Sequence, residues 1–440
     1  MKSVYQYLIS FLFIVISVCV AQGQQVFTSL DSLLYYTNTR SSTIKSGEIK
    51  FSQAQKAKLA AIVGVVDLNG NVSFNLTNNT TLPVSLFPAE AFGGEAGKYR
   101  EVQTGIPYTN TLNQNVELKL FNTSGWQNLK LAKINIDATI TDNKLSKKSL
   151  FENIAATYYN ILTLQEQLAS SQKNVAASDT LYHMVKHKQE LGLAKQQDVN
   201  DAQVNQINSQ ENVNQITFLI QQQYIALKIL CDISESETII LKQPITYGLH
   251  GIKPTISFNK LSTINSQLKE QSALAYYRQL KLNNLPYLSA FASNSNQQFS
   301  STFSLFDNNV KWINSNYIGL KAVWIIPSAT SLTQLSKSKY DYLLAKQNTA
   351  HNELKSQLEF KQLVVDFDKA QSQMNTNKQV YELRVDTYRK NLENYRFGLI
   401  SLDILLNSYN AMITSEYNYI SATVSVMLAQ SKITINNQLQ

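Results

Sequence analysis

Apolar residues recur along this chain in steps of three and four. One run holds Leu150, Ile154, Tyr158, Ile161 and Leu168. A second holds Val213, Ile216, Ile220, Tyr224, Leu227 and Cys231, and a third Leu402, Leu405, Tyr409, Met412, Ile420, Val424 and Met427. Such steps place side chains on one side of a helix. Polar residues interrupt each seam, which suits helices wedged between two neighbours and wetted elsewhere better than a two-stranded zipper. Neither proline nor glycine occurs between residues 127 and 191, or between 331 and 397. Stretches of that length without a breaker predict helices about 100 Å long at ~1.5 Å per residue. From these stretches alone, an isolated antiparallel helical bundle is the plain alternative.

Elsewhere the period switches to two. From Asp67 to Thr77, the residues Asp67, Asn69, Asn71, Ser73, Asn75 and Thr77 alternate with Leu68, Gly70, Val72, Phe74 and Leu76. One face is polar and the other mostly apolar, and the length suits a tilted strand crossing a bilayer. A second strand sets Val116, Leu118 and Leu120 against Asn115, Glu117 and Lys119. A fourth sets Ile318, Leu320, Ala322, Trp324 and Ile326 outward, with Gly319 and Lys321 inward. The third, after Pro286, alternates too poorly for its faces to be assigned. Charges aimed into a dry core are costly, whereas a water-filled lumen accepts them. A half-buried soluble sheet gives similar alternation.

The chain also repeats itself. Glu190-Leu191-Gly192-Leu193 closes the first long helix, and Arg396-Phe397-Gly398-Leu399 closes the second, the two glycines lying 206 residues apart. Each glycine fits a left-handed cap where a helix stops and the chain doubles back. Upstream, Lys58 to Val63 resembles Lys281 to Pro286 at a spacing of 223, so the first copy carries about 17 extra residues, placed here in the Gly/Pro-rich segment from Asn78 to Pro107. The expected division is a signal peptide over 1–23, a first repeat over 24–231, a linker over 232–259 and a second repeat over 260–440. The first repeat holds a helix, a strand pair at about 62–121, a long helix over 126–191 and a helix over 195–231. The second holds a helix over 260–285, a strand pair at about 286–327, a long helix over 331–397 and a helix over 401–436.

Composition narrows the class. Lys2, the apolar run from Leu8 to Val20 and Ala21-Gln22-Gly23 read as a secretory signal. Cys19 sits where a lipoprotein acceptor would, but Val18 fills a slot that wants a small residue. Removal of the signal leaves Cys231 alone, so no internal disulfide is expected. Charged residues are 16%, below the roughly 25% of soluble domains. The net charge of +8 is scattered without a Lys/Arg cluster, which argues against nucleic acid. Beyond the signal no apolar run is long enough for a membrane helix, so a membrane reading requires a β-barrel.

Two tandem repeats, strand pairs, long uninterrupted helices and the turns Glu190–Leu193 and Tyr395–Asp403 together resemble the TolC outer-membrane efflux family. The second turn carries the sharper motif: an aromatic, then glycine, serine and Asp-hydrophobic. Pro286 matches a proline common at the family's strand entry, where Val63 stands in the first repeat. The resemblance implies an α+β membrane protein: a trimeric 12-stranded β-barrel, four strands per chain, continuing into a long α-helical barrel. It implies an exit duct in the outer membrane with its helical part in the periplasm. The expected partners are two further copies of the chain, a periplasmic adaptor (membrane fusion) protein, an inner-membrane pump and outer-membrane lipid. Efflux and type I protein secretion share this tunnel.

The resemblance also places a gate. Tyr395 falls at the family's aromatic gate position and Asp403 at its first acidic ring, where three carboxylates would attract cations. Leu406 or Asn407 falls at the second acidic position, which weakens a cation filter. The plain alternative for Asp403 is a residue favouring its helix dipole. Gly192, Leu193, Gly398 and Leu399 fall where adaptor hairpins dock; an ordinary helix-ending contact is the alternative for the leucines. Asp67, Asn69, Asn71, Glu117, Lys119 and Lys321 are the expected barrel-lumen residues.

His183 and His187 share a helix face, yet two ligands are too few for a tight metal site. No metal or cofactor is expected. There is no phosphate loop, nucleophile elbow or H-E-x-x-H, so no enzyme is expected. The competing reading from another class is a coiled-coil scaffold without a pore.

Overall fold

The computed structural model describes residues 24–245, 255–303 and 310–439. The expected signal with Cys19, residues 246–254 of the expected linker and residues 304–309 of the second strand pair lie outside the described residues. In chain order the elements are β1 (Gln24–Phe27), α1 (Leu30–Arg40), α2 (Ser42–Val66), β2 (Leu68–Asn78), β3 (Val84–Pro88), β4 (Tyr99–Gln103) and β5 (Tyr108–Phe121). Then follow α3 (Thr123–Glu190), α4 (Gln196–Cys231), β6 (Thr238–Leu241), α5 (Leu261–Leu282), β7 (Tyr287–Ser300), β8 (Ile313–Val323), α6 (Ala329–Arg396) and α7 (Leu402–Gln438). The two long helices, α3 and α6, have 68 residues each.

Two compact units interleave along the chain, each drawing on both halves of it. One takes the described residues up to Lys50, Thr139–Ser266 and Thr349 onward. The other takes Phe51–Ala138 and Gln267–Asn348.

In the first unit, the seam positions Leu150, Ile154, Tyr158 and Ile161 are buried against Leu33, Leu227, Cys231, Val424 and Met427. Leu168, Val213 and Met412 are only partly buried. Buried hydroxyls find partners, as such groups must: Tyr158 donates to Gln243 Oε1 at 2.8 Å, and Tyr409 to the Asn174 carbonyl at 2.8 Å. The expected linker contains β6, which pairs in parallel with β1. The strand is Thr-Ile-Ile-Leu, a β-branched run that buries Ile239 and Leu241. Nearby, Asp232 ends α4 in a left-handed conformation (φ 54°), and its carboxylate accepts from the Ser42 N–H at 2.7 Å, capping α2.

In the second unit a four-stranded antiparallel sheet runs in the order β2-β5-β7-β8. The first strand pair starts later than the expected 62, because α2 continues to Val66. Lys58 to Val66 contains one glycine and no proline, so nothing stops the helix until Asp67, whose φ is 41°. Val63 is therefore helical and does not stand at a strand entry. The Gly/Pro-rich segment expected to hold the extra residues contains a small hairpin, β3–β4. A bulge between Lys119 and Phe121 sets Phe121, in place of Leu120, opposite Leu288. Strand β8 ends at Val323, so Trp324 and Ile326 lie beyond it; the Trp324 indole donates to the Asn284 carbonyl at 3.2 Å.

The turns after α3 and α6 are built alike. Gly192 N–H donates to the Gln189 carbonyl (2.9 Å) and Leu193 N–H to that of Lys188 (2.8 Å). Gly398 N–H donates to Tyr395 (3.1 Å) and Leu399 N–H to Asn394 (2.9 Å). These paired bonds are the Schellman closure, with glycine left-handed at φ 71° and 74°. A Cβ at either glycine would meet nothing within 4 Å, so substitution there is penalised by backbone strain alone. Gly192→Ala and Gly398→Ala should each destabilise by about 1–2 kcal/mol, and asparagine by less. Urea unfolding in detergent, followed by helical circular dichroism, would measure this. Midpoints equal to wild type would refute the assignment.

Candidate functional site

The sheet register sorts the strand side chains onto two faces. On one face Asp67 lies beside a row of Lys119, Ser289 and Lys321. The next rows are Asn69, Glu117, Phe291 and Gly319, then Asn71, Asn115, Ser293 and Tyr317. All six expected lumen residues are on this face. Two ion pairs cross the strands: Lys119 with Asp67, and Lys321 Nζ with Glu117 Oε2 at 2.6 Å. The Phe291 ring covers Gly319, where a Cβ would come within 3.0 Å of ring carbons; an aromatic laid over a cross-strand glycine is a known stabilising pair.

The opposite face carries Leu68, Val72, Phe74 and Leu76 from β2, Val116 and Leu118 from β5, and Ile318 and Leu320 from β8. Ile318 is 86% exposed and Leu320 68%. No charged residue of these four strands lies on it. The faces of β7, illegible in the sequence, follow from pairing: Ala290 and Ala292 join the apolar face, Ser289, Phe291 and Ser293 the charged one. The outer strands β2 and β8 have no partner on their far sides among the described residues. Among those residues, no helix is long and apolar enough to cross a membrane.

In the other unit the turn regions bring the remaining candidates together only in part. Leu193 and Leu399 are 73% and 72% exposed, with Leu191 and Phe397 exposed beside them. The hydrophobic partner usual for such a cap is absent, because the facing cap positions are Lys188 and Asn394.

Tyr395 is buried among Leu181, Val185, Val199, Leu402 and Leu405. Its ring presents no free face, so any part in gating runs through helix contacts and not through lining a lumen. Burial holds its phenol above the ordinary range, and Asp198 adds to the rise. Lys188, which the sequence reading passed over, donates to the Tyr395 carbonyl at 2.7 Å and sits 4.2 Å from its ring centre. It ties the end of α3 to the end of α6. A basic residue in the last turn of a helix was the available signal.

Asp403 and Asn407 are exposed, one turn apart at the start of α7. Asp198, near the start of α4, does accept a capping bond, from Lys195 N–H at 2.8 Å; no such side-chain bond caps α7. His183 and His187 are exposed, and each faces its own acid, Asp179 and Glu190, at 3.6 Å.

The family model described as outer membrane efflux protein matches residues 84–231. No curated protein matches the sequence. Among solved structures, the outer membrane protein VceC of Vibrio cholerae is similar over 92% of this chain and 95% of its own, at TM-score 0.72 and 13% identity. The CmeC outer membrane channel of Campylobacter jejuni is similar over 92% and 85%, at TM-score 0.66 and 14% identity. The open state of the Neisseria gonorrhoeae MtrE outer membrane channel is similar over 92% and 88%, at TM-score 0.65 and 12% identity. Residues 84–231 are thus similar to the outer membrane efflux protein family, and the chain as a whole has the fold of these solved outer-membrane proteins.

Proposed function

We propose that three copies of this chain form a passive exit duct across the outer membrane, with the helices in the periplasm, working with a periplasmic adaptor and an inner-membrane pump. The sheet carries the reading: one face holds every charge of its strands, the other holds none, and among the described residues both edges are open. Strands β2 and β8 have eleven residues each, so β8 of one copy can pair along the whole of β2 in the next. Three four-stranded sheets then close into twelve strands, an even number suited to an outer-membrane barrel. Eleven residues at ~3.3 Å, tilted by ~45°, span about 25 Å, the height of the apolar band of such barrels.

The helices support the same assembly. Exposed apolar residues on α4 (Ile207, Phe218, Ile225, Ile229) and on α6 (Leu354, Leu358, Val365) recur at spacings of 4, 7 and 11, the pattern of helices that pack against a neighbour. A coiled-coil scaffold without a pore has no use for the two-faced sheet.

In this duct Gly192, Leu193, Gly398 and Leu399 form the adaptor-docking turns, Lys188 and Tyr395 a clamp on the periplasmic entrance, and Asp403 an acidic ring with Asn407 one turn on. The two-repeat organisation assigns β2, β5 and the helices after them to the first copy, and β7, β8 and theirs to the second.

Light scattering on the detergent-extracted outer-membrane fraction, corrected for detergent, should give three protomers; a monomer, a dimer or a purely soluble protein would refute the duct. In planar bilayers Lys188→Met should raise conductance, whereas Lys186→Met, at an exposed neighbour, should leave it unchanged. Equal conductance of both variants would remove the clamp. In the same bilayers Asp403→Asn should shift the reversal potential under a salt gradient toward zero; an unmoved potential would sink the acidic ring. Replacing Leu193 and Leu399 together by glutamate should abolish adaptor crosslinking with trimers intact, and retained crosslinking would count against docking there.

A further inference from the structure

The uncharged face of the sheet is not uniform. Along β7 two alanines sit between taller neighbours: Ala290 between Leu118 and Leu320, and Ala292 between Val116 and Ile318. The result is an apolar depression of about 630 Å³ running along the strand. Strands β5 and β8 stand about 9.6 Å apart, so it is one hydrocarbon chain wide.

The next row is Gln114, Asn294 and Asn316, which lines an adjoining depression of about 450 Å³. Beyond it Asn296 and Asn314 continue the amide ladder, Asn314 donating to Asn296 Oδ1 at 2.7 Å and Asn316 to Asn314 Oδ1 at 2.6 Å. The change is local to β5, β7 and β8. In β2 the same rows hold Val72, Phe74 and Leu76.

Amides held against bare hydrocarbon are costly, because nothing there accepts or donates. Among the described residues, the ladder leaves the Gln114 amide, the Asn294 Nδ2 and the Asn316 Oδ1 without protein partners. No lysine, arginine or acid lies on this face to match a charged headgroup. Hydroxyls, which both donate and accept, fit such a row.

We propose that this groove binds an uncharged glycolipid of the surrounding membrane, one acyl chain over Ala290 and Ala292 and the sugar hydroxyls on Gln114, Asn294 and Asn316. The inference rests on the sheet being a membrane barrel with this face outward.

The test uses the full chain reconstituted in nanodiscs of phosphatidylcholine and monogalactosyl diacylglycerol in equal amounts, then released for native mass spectrometry. Wild type should retain the galactolipid about tenfold over phosphatidylcholine, the ratio that one or two net hydrogen bonds supply. The pair Ala290→Phe and Ala292→Phe fills the groove and should lose both lipids. The pair Asn294→Leu and Asn316→Leu, which places apolar side chains on a lipid face and so keeps assembly, should retain both lipids equally. Equal retention by wild type, or an unchanged preference in the leucine pair, would overturn the proposal. Trimers that insert but keep no galactolipid overturn this inference alone; a chain that stays out of the nanodisc overturns the membrane reading with it.

Discussion

Every backbone N–H and C=O in hydrocarbon needs a partner within the protein, and a four-stranded sheet cannot supply that for its outer strands. On the membrane reading proposed above, this constraint governs the molecule. Among the described residues, strands β2 and β8 each leave one side unpaired, and they are equal in length. A soluble protein would blunt such edges with charge, proline or a covering loop. Here neither edge strand contains proline, and β2 contains no charged residue at all. In the proposed duct, further copies of the chain would pair with these open edges. The exposed apolar positions on α4 and α6 follow the same logic in the helical unit, where burial is incomplete until a neighbour arrives.

The sequence was most legible where one local rule decides the outcome. Stretches without proline or glycine read as long helices because nothing in them competes with the helical hydrogen-bond ladder. Gly192 and Gly398 read as caps because a left-handed residue there is nearly obligatory. The alternation from Asp67 to Thr77 read cleanly because its two faces differ in kind. Legibility failed where the deciding contact is remote in sequence. Strand β7 carries small and polar residues on both faces, so only pairing with β5 and β8 fixes its orientation. Strand β6 is four residues in what looks like a linker, and its partner β1 lies more than two hundred residues earlier. The start of β2 was misplaced because Ala60 to Val66 suits helix and strand equally, and the stop is made by the backbone of Asp67.

The turn region shows the same division. Motif position singled out Tyr395, but position cannot tell a ring that lines a passage from one that holds helices together. Burial among Leu181, Val185 and Leu405, with Lys188 on its carbonyl, assigns it to the second kind. Lys188 carries no motif, and its importance comes from what it reaches.

Charge balance on the sheet bears on where selectivity resides. The charged face holds Asp67, Glu117, Lys119 and Lys321, two acids and two lysines, each acid paired with a lysine. Paired charges cancel within a few ångströms and project little field across a watery passage, where screening shortens their reach to about 8 Å at physiological salt. In the proposed duct the barrel interior would therefore be close to neutral toward passing ions. It would present amides and hydroxyls, groups that neither attract nor exclude a particular charge. Asp403 differs, being exposed with no ion pair among the described residues, and three copies near an axis would reinforce one another. If the proposed duct has such a barrel and one acidic constriction at Asp403, it would sort its cargo weakly and leave the choice of cargo to whatever loads it.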